Sequence, residues 1–202
     1  MNFADAVARL RKAGVDNPRL DARLLGDLAA DEAAFDALVA RRERREPVAY
    51  ITGRKEFWSL EFAVGPGVLI PRPETETLIE AILKDFPDRD GRFAILDFGC
   101  GSGCILAALL AEYRRAVGVG VEASPLAAAY AERNLKRLGL SERGRIVRSN
   151  WADFTEGCFD IAVSNPPYVK SGDIATLAPE ISEYEPPQAL DGGPDGLAAY
   201  RQ

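Results

Sequence analysis

The sequence predicts an α/β fold in which a parallel, doubly wound sheet follows a small helical bundle. Apolar residues recur at helical spacing within residues 1–46. A segment at residues 56–70 is rich in aromatic and β-branched residues and contains a Gly-Pro-Gly turn, which is typical of a hairpin. From residue 93 onward, short apolar runs alternate with helical patterns, and this alternation predicts parallel strands joined by helices.

The helical patterns have recognisable ends. Asn17 before Pro18 predicts the N-cap and first position of a second helix in the bundle, and Pro47 ends the helical region. A further helix is predicted over 73–86. In the alternating region we predict strands at 93–98, 116–121, 145–148 and 159–164, with helices over 104–113 and from Ser124 to Gly139.

Composition excludes several kinds of site. The chain has 202 residues and no histidine, which removes histidine-dependent nucleophilic, general-base and zinc chemistry from this chain. Its three cysteines are Cys100, Cys104 and Cys158, and no two of them have CxxC spacing. We therefore expect neither a disulfide framework nor a metal site, and we expect the protein to be cytoplasmic. The longest apolar run, residues 104–111, is too short to cross a membrane.

Charge argues against a nucleic-acid partner. The net charge is −6, and residues 172–202 carry six acids and one base. The basic residues between Arg41 and Arg45 are interpreted as a solvated helix end that complements the helix dipole. We therefore expect no direct binding to nucleic acid.

A glycine-rich loop follows the first predicted strand of the sheet. Residues 97–103 read Asp-Phe-Gly-Cys-Gly-Ser-Gly, and glycines allow both a tight turn and close approach of a ligand. The spacing is GxGxG, whereas a dinucleotide fingerprint requires GxGxxG. The nicotinamide interpretation is therefore disfavoured, and taken alone the loop is equally consistent with a turn that binds nothing.

Two further residues follow the next strands. Glu122 ends the second strand of the sheet, where an acidic side chain accepts hydrogen bonds from ribose hydroxyls; the alternative is an acid at a helix N-terminus. Trp151 follows the third strand, where an indole packs on an adenine face or simply fills the core.

The most specific motif is Asn165-Pro166-Pro167-Tyr168, after the fourth strand. The prolines fix the backbone and remove two N–H donors, which leaves the Asn165 side-chain oxygen and the Pro166 carbonyl as rigid acceptors. Two such acceptors suit an amide or aromatic NH2 group, on which Tyr168 packs. Drawing on both N–H bonds makes this poorly nucleophilic nitrogen more reactive.

Together, these motifs closely resemble those of the bacterial release-factor glutamine N5-methyltransferases. The resemblance extends over residues 47–76, the ILDFGCGSG and SNPPYV segments and residues 185–201, which occur in that family's order. It implies a Rossmann-like class I methyltransferase sheet preceded by a helical bundle. It also implies S-adenosyl-L-methionine as cofactor, S-adenosyl-L-homocysteine as product, and the glutamine of the Gly-Gly-Gln loop of peptide chain release factors as substrate.

The resemblance also implies roles for individual residues. The glycine loop surrounds the methionine part of the cofactor, Glu122 meets the ribose, Trp151 the adenine, and residues 165–168 hold the substrate amide, with Asn165, Pro166 and Tyr168 catalytic. A segment around Pro73 lines the cofactor pocket. The implied cofactor-binding residues are Asp97, Gly99, Cys100, Gly101, Ser102, Gly103, Glu122, Trp151, Asn165, Arg72 and Thr75.

We expect three regions. They are a substrate-recognition bundle (1–46), a linker with a hairpin (47–76) and a methyltransferase domain (77–202). A class I methyltransferase sheet has seven strands, whereas only four are predicted before the sequence stops at Gln202. This shortfall favours a C-terminally truncated chain, or else a partner chain that covers the open strand edge.

Three alternatives remain open on sequence grounds. The Asn-Pro-Pro-Tyr chemistry also serves an adenine N6-methyltransferase acting on nucleic acid, or a glutamine methyltransferase acting on a ribosomal protein. A non-enzyme alternative is a binding module that retains cofactor or partner affinity without turnover.

Overall fold

The computed structural model describes residues 2–154 and 157–201. Its α-helices are α1 (Phe3–Lys12), α2 (Pro18–Leu28), α3 (Glu32–Glu43), α4 (Val48–Thr52), α5 (Glu76–Asp85), α6 (Cys104–Glu112), α7 (Pro125–Arg137) and α8 (Pro179–Ser182). Its strands are β1 (Arg54–Phe57), β2 (Leu60–Ala63), β3 (Ala94–Phe98), β4 (Val117–Glu122), β5 (Gly144–Arg148) and β6 (Ile161–Ser164). None of the described helices is long and apolar enough to cross a bilayer.

The later strands form the predicted parallel sheet, in the order β5-β4-β3-β6. In register, Leu96 of β3 lies between Val119 of β4 and Ala162 of β6. Because the strands run in one direction, their carboxyl ends meet at one edge of the sheet. The prediction of an α/β fold with a parallel sheet is confirmed.

Helices α5, α6 and α7 share one core with the sheet. Helix α6 lies at its centre, and every residue from Cys104 to Leu110 is buried. A helix that is apolar on every side requires such surroundings. The opposite face of the sheet buries Leu96, Val119 and Val121 beneath aromatic side chains that include Phe98 and Trp151.

Helices α1, α2 and α3 form the predicted bundle around a core of their own. The side chains of Asn2 and Asp31 cap α1 and α3 by accepting a backbone N–H three residues later. Pro18 occupies the first turn of α2 as predicted. Asn17 is the N-cap residue of α2, as predicted, although its side chain accepts no cap hydrogen bond.

The predicted linker begins with a helix rather than an irregular segment. Pro47 is the N-cap of α4, which packs on the bundle through Ile51 and on the segment after the hairpin through Tyr50. The Tyr50 hydroxyl donates to the Val68 carbonyl at 2.6 Å. Pro47 therefore begins a helix as well as following one, since proline suits a helix start.

The hairpin is confirmed, but its predicted turn is wrong. Strands β1 and β2 are joined by Trp58 and Ser59, whose φ values of 52° and 58° form a two-residue turn. The carboxylates of Glu76 and Glu56 accept the N–H groups of these residues at 2.8 and 2.6 Å. The Gly-Pro-Gly segment at 65–67 instead follows β2 and lies against α7.

The interpretation of the basic stretch as a solvated helix end is wrong for Arg42 and Arg45. The Arg42 side chain is only 7% exposed and pairs with Asp21 at 2.8 Å and with Glu180 at 2.9 Å. Arg45 binds Glu180 at 2.6 Å, and the Tyr184 hydroxyl donates to the Arg44 carbonyl. These contacts join the bundle to the segment that contains α8.

We predict that Arg42→Ala lowers the free energy of unfolding by about 3–5 kcal/mol, because it leaves the buried Asp21 carboxylate unpaired. The matched control is Arg41→Ala. Arg41 is 38% exposed and pairs with Glu46, so its loss should cost about 0–1 kcal/mol. Urea denaturation of both variants measures the difference, and equal losses would contradict the prediction.

Candidate functional site

Several of the predicted site residues meet at the carboxyl ends of the sheet strands. A cavity of about 510 Å³ opens there, lined by Gly99 and Gly101 after β3, Glu122 at the end of β4, Trp151 after β5, and Asn165 after β6. This volume suits a ligand of cofactor size. Other residues that line it include Gly67, Asn150, Pro167, Pro186, Gln188 and Asp191.

The glycine loop turns from β3 into α6 through three left-handed residues. Gly99, Gly101 and Gly103 have φ values of 66°, 55° and 78°. A Cβ on Gly99 would lie 2.7 Å from an atom of the Trp151 indole. The missing side chain therefore allows the indole to rest directly against the loop, where it forms part of the cavity wall.

Glu122 connects the glycine loop to the start of α7. Its Oε2 accepts the Gly101 N–H and its Oε1 accepts the Ser124 N–H, each at 2.8 Å. A carboxylate oxygen has more than one acceptor site, so both oxygens retain capacity for a ligand hydroxyl. This geometry fits the expected ribose contact while also holding the loop in place.

Asp97 lies beneath the loop rather than in the cavity wall. It is fully buried, its Oδ2 accepts the Leu106 N–H at 3.2 Å, and its Oδ1 has no hydrogen-bond partner in the described residues. Burial raises the pKa of this carboxyl to about 8, with the negative charge of Glu122 adding to the rise. The protonated form therefore predominates at pH 7.

The remaining loop residues are buried and do not line the cavity. Asn134 of α7 donates its side-chain amide to the Ser102 carbonyl at 2.9 Å, and Gly103 lies against Ala131. Burial raises the pKa values of the Cys100 and Cys104 thiols, the latter to about 12. Asn134 and Ala131 thus hold the loop against α7, and burial keeps the two thiols protonated.

The Asn-Pro-Pro-Tyr segment begins where β6 ends. The Ser164 hydroxyl donates to the Phe98 carbonyl at 2.8 Å, which fixes the two strand ends together. The Nδ2 of Asn165 donates to the Thr75 hydroxyl at 3.1 Å. Pro166 is buried and Tyr168 is 62% exposed, and neither is among the residues that line the cavity.

A turn at residues 191–196 supports this segment from behind. The Val169 N–H donates to the Leu190 carbonyl at 3.0 Å, and the Gly192 N–H donates to the Val169 carbonyl at 2.8 Å. A Cβ on Gly192 would lie 2.8 Å from the Pro167 carbonyl oxygen. Only glycine therefore allows the turn to lie this close to the Asn-Pro-Pro-Tyr backbone.

Arg72 is engaged by a buried carboxylate. It pairs with Glu185, whose side chain is 1% exposed and also accepts the Ile70 N–H at 3.0 Å. Neither Arg72 nor Thr75 lines the cavity. These two expected cofactor residues therefore do not form part of the cavity wall.

Sequence reasoning did not single out the wall formed by Pro186, Gln188 and Asp191. Its signal was the Pro186-Pro187 pair followed by Gly192-Gly193, a rigid segment next to a tight turn. Glu185 was missed as well, because nothing local distinguishes it from the other acids of the acidic segment.

A larger cavity of about 840 Å³ lies elsewhere, between the hairpin turn and the end of α6. The Trp58 indole N–H donates to Glu112 across it at 2.8 Å. None of the described residues that line it lies at the carboxyl end of a strand of the four-stranded sheet. We assign the functional site to the smaller cavity, because ligands of parallel α/β sheets bind at those ends.

We predict that Asp97→Asn removes a pH dependence of stability. Between about pH 4 and pH 8 the unfolded chain releases the Asp97 proton while the folded chain keeps it. This group's contribution is complete below about pH 4 and is lost as the pH rises through about 8.

The measurement is the free energy of unfolding in urea between pH 5 and pH 9. It should fall more steeply with pH in the parent chain than in Asp97→Asn. The exposed Asp90 provides a control, since Asp90→Asn should follow the parent. An identical dependence of the unfolding free energy on pH in the parent and in Asp97→Asn would contradict the raised pKa of the Asp97 carboxyl.

Comparison with known proteins agrees with the family resemblance stated from the sequence. Residues 73–183 match the family model described as Methyltransferase small domain, and residues 28–53 match the PrmC N-terminal domain. One solved structure, the hMettl16 catalytic domain in complex with MAT2A 3′UTR hairpin 6, covers 77% of this chain and 54% of its own. At 20% identity and a TM-score of 0.51, it shows a shared fold alone.

Two curated relatives carry the name release factor glutamine methyltransferase. That of Rhodospirillum rubrum is 47% identical over 96% of this chain, which spans 64% of the relative. That of Caulobacter vibrioides is 44% identical, again over 96% of this chain, which spans 73% of the relative. On this similarity, the chain belongs to the release factor glutamine methyltransferase family.

Proposed function

We propose that the protein transfers a methyl group from S-adenosyl-L-methionine to the side-chain amide nitrogen of the Gly-Gly-Gln glutamine in peptide chain release factors. The observation that carries the proposal is the placement of Asn165 and Pro167 in the same cavity as Gly99, Glu122 and Trp151. Asn165, the proposed acceptor for the substrate NH2 group, thus lines the same cavity as the residues proposed to bind the nucleoside.

The residues present fit the cofactor. Glu122 offers spare carboxylate acceptor sites for ribose hydroxyls, Trp151 offers an aromatic surface for the adenine, and the missing Cβ of Gly99 lets that indole lie against the glycine loop. When bound, the cofactor supplies a methyl group activated by its sulfonium sulfur. No group of three potential metal ligands occurs in the described residues, and the proposed reaction requires none.

The chain's own residues orient the amide. The Asn165 Oδ1 and the Pro166 carbonyl accept the two N–H bonds of the glutamine, which raises electron density on nitrogen and directs its lone pair. Tyr168 packs on the planar amide. The nitrogen forms its new bond to carbon as the bond from carbon to sulfur breaks, and one nitrogen proton leaves to water. Orientation of this kind supplies up to ~7–11 kcal/mol of the barrier reduction.

The exposed Tyr168 suits a protein substrate. Tyr168 is 62% exposed and follows Pro167, which lines the cavity, so a loop carrying glutamine reaches it without entering the core. The relatives named for release factors support this choice of substrate.

We predict a gain of one methyl group on the Gly-Gly-Gln glutamine when a release factor is incubated with the chain and the cofactor. Peptide-mapped mass spectrometry measures it. Asn165→Ala should lower kcat by about 10²–10³-fold while cofactor affinity stays near that of the parent. Methylation of an adenine or of a ribosomal protein in place of the release factor, or cofactor binding without any transfer, would contradict the proposal.

We also predict that Gly99→Ala weakens cofactor binding at least about tenfold, because the new Cβ displaces the Trp151 indole. The matched control is Gly53→Ala. Gly53 has φ 72° against 66° for Gly99, but no other atom lies within 4 Å of a Cβ built on it. Calorimetric titration with S-adenosylhomocysteine measures both variants, and equal affinities would show that the contact with Trp151 does not shape the site.

A further inference from the structure

We infer that Thr75 is a positioning residue that sets the orientation of the Asn165 side-chain amide. This inference rests on the proposed function, because it concerns how the acceptor for the substrate NH2 group is presented. Its physical basis is the hydrogen bond from Asn165 Nδ2 to Thr75 Oγ1, 3.1 Å long and formed between residues 90 positions apart.

An asparagine side-chain amide has two ends with opposite hydrogen-bonding character. Its oxygen accepts, whereas its nitrogen only donates, and rotation by half a turn exchanges the two. A substrate NH2 group needs the oxygen, since two donors cannot bond to each other. Because Nδ2 of Asn165 is already bonded to Thr75, Oδ1 is the free end, and it accepts no hydrogen bond from the described residues.

Thr75 is well placed to hold this orientation. It is only 8% exposed, so water competes little for its hydroxyl. A β-branched side chain has few rotamers, which limits the positions of Oγ1. Its N–H donates to the Arg72 carbonyl at 3.0 Å within the 3₁₀ turn Pro73–Thr75, which fixes the backbone as well.

The turn itself is fixed from the other side of the site. Glu185 accepts the Ile70 N–H and pairs with Arg72, so both residues that lead into the turn are anchored. Thr75 contributes no atom to the cavity wall. These contacts support a role through Asn165 rather than a direct contact with cofactor.

The matched variants are Thr75→Val and Thr75→Ser. Valine keeps the shape and removes the hydroxyl, whereas serine keeps the hydroxyl. We expect Thr75→Val to lower kcat about threefold to tenfold with cofactor affinity unchanged, because a neutral hydrogen bond no longer selects the productive orientation. Thr75→Ser should retain near-parental kcat. In an Asn165→Ala background, Thr75→Val should have no further effect on kcat.

A second measurement does not depend on turnover. The side-chain NH2 signals of Asn165 are assigned by NMR through their loss in Asn165→Asp. We expect them to shift and to exchange faster with water in Thr75→Val, and to stay close to the parental signals in Thr75→Ser.

The outcomes separate this inference from the proposed function. A parent chain that methylates no release factor overturns the proposed function, while the NMR signals still decide whether Thr75 holds the amide. The inference is overturned by unchanged NH2 signals in Thr75→Val. It is equally overturned by an unchanged kcat in Thr75→Val, by a loss in Thr75→Ser as large as that in Thr75→Val, or by a further loss in the Asn165→Ala background.

Discussion

The buried carboxylate of Glu185 is the contact on which the geometry of the site depends most. An ionised group with 1% exposed side chain is tolerable only when its oxygens are satisfied, and Ile70 and Arg72 satisfy them. Glu185 lies 115 and 113 residues from these two partners. Its need for partners therefore brings the segment before α5 against the segment after the Asn-Pro-Pro-Tyr motif.

Part of the cavity wall is backbone, and side chains hold this backbone in place. Gly99 and Gly101 are left-handed residues of the wall, and the turn at residues 191–196 packs against Pro167. Glu122 shows both roles, since it ties the glycine loop to α7 and keeps acceptor capacity for a ligand.

Local signals in the sequence were sufficient for the elements that depend on near neighbours. Ser124 caps α7 by accepting the Ala127 N–H, and Gly139 follows that helix with φ 71°, both as predicted. The ordered sequence of strands likewise located the glycine loop, Glu122, Trp151 and Asn165 at one edge. The roles assigned to these residues remain predictions.

Features that depend on distant partners were not predictable in this way. The left-handed turn at Trp58 is held in part by Glu76, and the burial of Arg42 depends on Glu180. Thr75 was expected to line the cofactor pocket, whereas its hydroxyl bonds Asn165. A short stretch of sequence shows the charge and hydrogen-bonding capacity of each side chain. It does not show which distant group that side chain will contact.

The ion pairs between the bundle and Glu180 also imply an order of events while the chain is being made. Arg42 and Asp21 are 21 residues apart, so we expect them to pair once the bundle has left the ribosome. Glu180 follows Arg45 by 135 residues, a delay of roughly 7–27 s at about 5–20 residues per second. During this delay Arg42 of the bundle is paired with Asp21 alone. The segment carrying Glu180 and Glu185 then docks on the bundle. The geometry around Asn165 is completed only at that late step.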